Sequence, residues 1–280
     1  MFCKYKNANK IVVVCLLLLS IACQFRITDE EAISEISQNE SSIFFGDLQV
    51  ADRSMHYAYS GTDKNCLVVF VHGSPGSWNA FIDFFQADSL LKEMDMLAVD
   101  RPGYGLSDFG ESISSLEKQS HLITEVVKLF KHEQKILVGH SLGGPVIARM
   151  AMDDPTQFDG LVMVAPSIDP ELEKDEWYRK MIKTRFGGWL TPKEFEVSNQ
   201  EILTLKDELE LMIPFWKKIE TPVIVIQGTD DGLVPKENAD FASRMINDSL
   251  LTIRMLEEIN HFIPWSHPQE ISDAIYDLKD

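Results

Sequence analysis

Short apolar runs recur along this chain, separated by segments of mixed polarity. Residues 66–71, 96–99, 135–138, 161–164, 223–226 and 251–255 are largely apolar and rich in Val, Ile and Leu. Their length is that of strands in a sheet covered on both faces. Segments 114–132, 145–152, 236–246 and 268–278 fall between or after them and carry helical apolar spacing. Two further runs, 43–50 and 54–60, precede the series and read as an antiparallel pair. Strands alternating with helices predict an α/β protein with a mostly parallel central sheet flanked by helices. No internal repeat is visible.

The alternation breaks between Ala165 and Ile219. This stretch interleaves charges with Trp177, Tyr178, Phe186, Trp189, Leu190, Phe195, Leu203, Leu205, Met212, Phe215 and Trp216. It predicts two to four amphipathic helices without a strand, with Gly187-Gly188 as a break or hinge. Most of these side chains are expected to glue the segment onto the core, and a few to line an apolar pocket. Trp78 and Phe81 are weaker pocket candidates.

The strongest chemical signal is Gly139-His140-Ser141-Leu142-Gly143-Gly144, directly after the apolar run 135–138 and before a helical pattern. Strand, Gly-x-Ser-x-Gly turn and helix form a nucleophile elbow. The glycines leave room for a crowded backbone, and the following helix offers free N–H groups beside the serine. Ser141 is therefore read as a covalent nucleophile. Downstream, run 223–226 leads into Gln227-Gly228-Thr229-Asp230-Asp231, and run 251–255 into Glu257-Glu258-Ile259-Asn260-His261. Acidic groups at the C-terminal end of a parallel strand stand where open α/β sheets place their chemistry.

Taken together, the order Ser, Asp, His, the segment His72-Gly73-Ser74-Pro75-Gly76 and the segment Asp100-Arg101-Pro102-Gly103-Tyr104-Gly105-Leu106-Ser107 resemble the α/β-hydrolase superfamily over roughly residues 43–280. The resemblance implies an α/β-hydrolase fold with a small helical cap inserted after the sixth strand. It divides the chain into a core, 43–165 and 221–280, and a cap, 166–220. The family pattern Gly-x-x-Asp-x-x-Val fits Gly228, Asp231 and Val234, which favours Asp231 as the acid; Asp230 reads as a solvated turn residue. His261 matches the family's base. His56, His121 and His132 read as structural, His140 as packing, His72 as a brace of its loop, and His267 as the start of the last helix.

In that scheme His261 takes the proton of Ser141 and later returns it to the leaving group, while Asp231 holds the imidazole tautomer. The oxyanion requires preorganised donors. The backbone N–H of Leu142 is one, and that of Ser74, in the loop after the third strand, is the other; Pro75 has no N–H to give. Asp100 and Arg101 are expected to brace neighbouring loops. The loop at 72–75 is also similar to those of epoxide hydrolases and haloalkane dehalogenases, which carry aspartate at the elbow where this chain has Ser141. Its likeness to proline iminopeptidases meets His140 where those enzymes usually have tryptophan.

Motifs for other chemistries are missing. Gly103 and Gly105 lack the third glycine of a dinucleotide loop, and there is no phosphate loop, His-Glu-x-x-His or paired Cys-x-x-Cys. The chemistry requires no cofactor and no metal. The formal charge of the chain is −18. Three lysines and no acid fall in the first 22 residues, so the remainder carries −21. Such a chain should repel nucleic acid and anionic surfaces.

Lys4, Lys6 and Lys10, an apolar run at 11–19, and Ser20-Ile21-Ala22 before Cys23 have the layout of a secretory signal. Leu19-Ser20-Ile21-Ala22-Cys23 resembles a bacterial lipoprotein signal, with Ser20 where an aliphatic residue is usual. The expectation is a signal peptide over 1–22, lipidation at Cys23, a flexible tether over 23–42, and an exported cell-envelope lipoprotein. Ordinary secretion and an uncleaved anchor are the alternatives. Cys66 reads as a small core residue.

The functional expectation is a serine esterase acting on a small ester-like molecule through an acyl-enzyme on Ser141. The alternatives are an amide (as in aminopeptidases), a thioester, a lactone or a C–C bond as the target, or a binding protein that keeps the fold. Oligomeric state is left open.

Overall fold

The computed structural model describes residues 28–37, 42–173 and 191–279. The expected signal segment over 1–22, Cys23, and the expected cap residues Trp177, Tyr178, Phe186, Gly187, Gly188, Trp189 and Leu190 lie outside the described residues. Eight strands form one sheet: β1 (Phe44–Val50), β2 (Arg53–Ser60), β3 (Cys66–Val71), β4 (Met94–Val99), β5 (Gln134–His140), β6 (Gly160–Val164), β7 (Val223–Gly228) and β8 (Leu251–Leu256). Their order is β1-β2-β4-β3-β5-β6-β7-β8. The β1/β2 hairpin joins β4 antiparallel, and β3 to β8 run parallel.

Every residue of β3, β4, β6 and β7 is buried, which explains their apolar runs, interrupted by Asp95 in β4 and Gln227 in β7. Side chains alternate between the faces. Leu67, Val69 and Val71 pack toward helices α3 (Leu116–Val127) and α4 (Gly143–Asp153). Val68 and Phe70 pack toward the 3-10 segment Trp78–Gln86 and the C-terminal helix α8 (Pro268–Lys279). Among the described residues the remaining helices are α1 (Asp29–Ser37), α2 (Asp88–Leu91), α5 (Lys193–Met212), α6 (Asn238–Met245) and α7 (Ile263–Ser266).

Three differences from the sequence expectations have physical causes. Within the expected tether, residues 29–37 form α1, and its i,i+4 pair Ala32 and Ile36 is fully buried against the sheet. Thr28 Oγ1 accepts from the Glu31 N–H while Glu31 accepts from the Thr28 N–H, a reciprocal cap at the helix start. Trp78 and Phe81 are core residues rather than pocket residues. They sink beneath β3, where the rings of Phe81 and its neighbour Phe84 lie tilted against that of Phe70 at centroid distances of 4.9 and 5.0 Å. Helix α4 begins two residues earlier than the apolar spacing suggests, because Pro145 falls in its first turn, where a missing N–H costs nothing.

The insertion between β6 and β7 contributes, among its described residues, the 3-10 turn Pro170–Leu172, the long helix α5 and the 3-10 segment Ile213–Lys218. None of the helices in the described residues is long and apolar enough to cross a membrane. Cys66 opens β3 fully buried, and burial pushes its thiol pKa up to about 11, consistent with an inert core residue.

The strand order decides where a site can form. From β3 the chain steps outward to β4, then crosses back to β5 on the other side of β3. The loops leaving the C-terminal ends of β3 and β5 therefore diverge and open a crevice at this switch point.

Candidate active site

Ser141 stands at that crevice, between the last residue of β5 and the first turn of α4. Its φ is +54°, a left-handed conformation that costs a serine free energy. Neighbouring bonds hold it there. Its N–H donates to Val164 O at 2.9 Å, and its carbonyl accepts from Gly144 N–H at 2.9 Å. The elbow abuts β3 so closely that a Cβ on Gly143 would lie 2.2 Å from Val71 O. On the other side, a Cβ on Gly73 would lie 2.9 Å from Cβ of Ser141. Only glycine fits either position.

The loops after β7 and β8 bring an acid and an imidazole together. Asp231 Oδ2 lies 2.7 Å from His261 Nδ1. Oδ1 accepts from the N–H groups of Leu233 and Val234 at 2.9 and 2.8 Å. Gln227 Nε2 reaches Oδ2 at 3.3 Å, a contact the sequence analysis did not anticipate. Burial acts to raise the Asp231 pKa, but the His261 contact and the two backbone donors outweigh it and hold the carboxyl below its ordinary value. The ionised carboxylate fixes a proton on Nδ1, which leaves the Nε2 lone pair available. Asp230 is exposed, and its N–H donates to Ile259 O. The geometry thus sets Asp231, not its neighbour, against His261.

The other histidines take supporting places. His140 Nε2 donates to the carbonyl of His261 at 3.0 Å, so it carries the His261 loop in addition to packing. Burial, followed by the nearby His261, pushes its pKa down to about 3. His72 Nδ1 donates to Gly73 O at 2.8 Å and its Nε2 accepts from Arg101 N–H at 2.9 Å, so the ring is neutral and braces the loop after β3. Burial and the adjacent Arg101 hold its pKa well below the ordinary histidine value. His56 is buried against Asp47, and His132 against Asp95. His121 is exposed on α3, and His267 precedes α8.

Asp100 and Arg101 are both braces. Asp100 accepts from the N–H groups of Trp78 and Leu106 at 2.8 Å each. Arg101 reaches the carbonyls of His72 and Gly73 at 2.9 Å each. Its partner, Glu201 on α5, was not legible as a site residue, because one glutamate in a charged helix has no distinguishing spacing. The pair is fully buried, with Nη1 to Oε1 at 2.7 Å.

A cavity of about 240 Å³ opens above this constellation. Ser74, Ser141, Leu142 and His261 line its floor, and Ile202 and Leu205 of α5 line a wall. This is slightly smaller than the roughly 300–1,000 Å³ usual for small-molecule sites. The arrangement can bring a hydroxyl and an imidazole held by a carboxylate to one small substrate.

A family model described as alpha/beta hydrolase fold matches residues 67–212, and the chain belongs to that family. Among curated proteins, it is 26% identical over 259 residues to a pimeloyl-[acyl-carrier protein] methyl ester esterase of Cronobacter sakazakii, covering 78% of this chain and 94% of that one. It is 21% identical over 276 residues to epoxide hydrolase 1 of Caenorhabditis elegans, covering 79% of this chain and 66% of that longer protein. A solved structure described as a membrane phospholipase A, a bacterial virulence factor, aligns with a TM-score of 0.65 at 16% identity, covering 97% of this chain and 99% of that one. Cfl2 of Burkholderia cenocepacia aligns with a TM-score of 0.67 at 14% identity, covering 84% and 95%. The chain is thus a hydrolase of the α/β family, with an eight-stranded, mostly parallel sheet flanked by helices.

Proposed function

We propose that this protein is a serine hydrolase that cleaves a carboxylic ester through an acyl-enzyme on Ser141. The observation that carries the reading is the 2.7 Å bond between Asp231 and His261 beside a serine held at φ +54° in the same cavity. In the first half-reaction His261 Nε2 accepts the Ser141 proton as Oγ bonds to the acyl carbon. The N–H groups of Leu142 and Ser74 stabilise the oxyanion. Collapse breaks the acyl carbon–oxygen bond, and the imidazolium gives its proton to the departing alkoxide. Water then attacks the acyl-enzyme with the same base, releasing the acid and restoring Ser141. Asp231 keeps Nδ1 protonated and stabilises the imidazolium throughout.

Relatives at low identity include an esterase and an epoxide hydrolase. A serine at the elbow favours ester cleavage, since the epoxide hydrolases whose loop is similar to that at 72–75 carry an aspartate at that place. The modest cavity fits a small acyl group. The test is hydrolysis of p-nitrophenyl esters of increasing acyl length by the wild type and Ser141→Ala. Turnover abolished in the variant supports the reading. A folded wild type inactive on every ester overturns it.

We further propose that residues 1–22 direct export and that Cys23 carries a lipid, resting on the basic head, the apolar run and the small residues before Cys23. Cys23→Ser should then move the protein from the membrane to the soluble fraction. Equal partitioning of both forms would sink the idea.

A further inference from the structure

Helix α5 has two kinds of neighbour within little more than one turn. Ile202 and Leu205 line the substrate cavity. Glu201 points into the core, 2% exposed, and bonds the loop that follows β3. Positions 201 and 205 are one turn apart, so the cavity wall and the buried carboxylate move with one rigid backbone.

The carboxylate is fully engaged. Oε1 accepts from Arg101 Nη1 at 2.7 Å and Gln119 Nε2 at 3.0 Å. Oε2 accepts from Arg101 Nη2 at 3.1 Å, Tyr104 Oη at 2.6 Å and Ser74 Oγ at 2.9 Å. Ser74 Oγ and Tyr104 Oη are themselves 2.7 Å apart, so two hydroxyl protons serve three short contacts. Arg101 also donates to the carbonyls of His72 and Gly73. Residues 72–74 are therefore gripped through two carbonyls and one side chain, all tied to Glu201. A buried ion pair contributes little net stability once its desolvation is counted, but it holds its partners in one geometry.

We propose that Glu201 is a positioning residue that couples α5 to the oxyanion loop, so that an acyl chain seated against Ile202 and Leu205 sets the backbone of Ser74 for the transition state. This rests on the serine-hydrolase reading of the site. Contacts remote from the reacting carbon then raise kcat rather than only lowering KM.

The test removes the hydroxyls that tie Ser74 to Glu201, directly or through Tyr104, and leaves the Arg101–Glu201 pair and its bonds to the His72 and Gly73 carbonyls in place. Ser74→Ala and Tyr104→Phe are compared with wild type on esters of increasing acyl length. In the wild type kcat rises as the chain reaches Ile202 and Leu205. In both variants kcat for the best substrate falls roughly 10- to 100-fold, less than the ~10²–10³-fold loss on deleting an oxyanion donor outright. KM stays within about twofold, the length dependence disappears from kcat, and Ser74→Thr restores it. Unchanged kcat in both variants, or a loss confined to KM, overturns the proposal.

Failure of the underlying reading has a separate sign, namely that a fluorophosphonate does not label Ser141. Amide hydrogen exchange then decides the matter without any substrate. The amides of His72, Gly73, Ser74 and Gly76 should exchange faster in Ser74→Ala and Tyr104→Phe than in wild type, and equal protection overturns the coupling.

Discussion

Glu201→Gln removes one charge from the interior and leaves the other behind. Arg101 is fully buried and makes five side-chain bonds, two of them to this carboxylate. The three that remain go to the neutral oxygens of His72, Gly73 and Gln119. Burial works against the Arg101 cation, and Glu201 and Tyr104 outweigh it, so its charge is kept at any ordinary pH. An uncompensated buried charge of this kind costs about 3–5 kcal/mol. At about 2–4 °C per kcal/mol for large domains, the midpoint of thermal unfolding should drop by roughly 6–20 °C. Circular dichroism melts at neutral pH measure it. Glu196→Gln is the control, because its pair with Lys193 is solvent-exposed and worth at most about 1 kcal/mol. The double variant Arg101→Met with Glu201→Leu should lose less than the sum of the singles, since neither charge is stranded. A Glu201→Gln midpoint within about 2 °C of wild type would refute the argument, because the Arg101 charge would then be solvated by some other route.

Three further outcomes follow from the same geometry. Asp231→Asn should fold normally but lower kcat by on the order of 10³–10⁴-fold in single-turnover and steady-state assays, because the amide N–H then faces Nδ1 and favours the wrong imidazole tautomer; equal activity would remove Asp231 from the mechanism. His140 has a folded pKa of about 3 against an ordinary 6.5, so the unfolded chain binds the proton first. The stability this gives is fully present above pH 6.5 and is lost as pH falls toward 3. His140→Leu should therefore flatten that part of the denaturation profile, and a parallel profile would count against it. Gly143→Ala should fail to accumulate as folded protein or should lose esterase turnover, since its Cβ would collide with Val71 O; a folded, fully active variant would show that the elbow yields.

Much of the sheet and the elbow could be read from the chain, because both depend on local patterns. Continuous apolar runs announce strands covered on both faces, and Gly-x-Ser-x-Gly after such a run announces a turn that only small neighbours allow. The family spacing from Gly228 to Val234 singled out Asp231 over Asp230, and the structure sets that carboxylate on His261. Helix α1 was missed because its apolar residues are only Ala32, Ile33 and Ile36 in a polar stretch, and only the i,i+4 pair Ala32 and Ile36 is buried, by the sheet it meets. Trp78 and Phe81 were misplaced because an aromatic after a functional loop looks the same whether it faces ligand or core.

What the sequence determined by itself was the succession of strands and helices and the three residue types that could carry nucleophilic chemistry. Those follow from periodicity and turn chemistry, which act over a few residues. The tertiary structure alone decided which groups meet. Glu201 lies 100 residues from Arg101 and 127 from Ser74 in the chain. His140 supports the carbonyl of His261 across 121 residues. Such pairings depend on which strand neighbours which, and the crossover from β4 past β3 to β5 fixes that only once the whole sheet has formed.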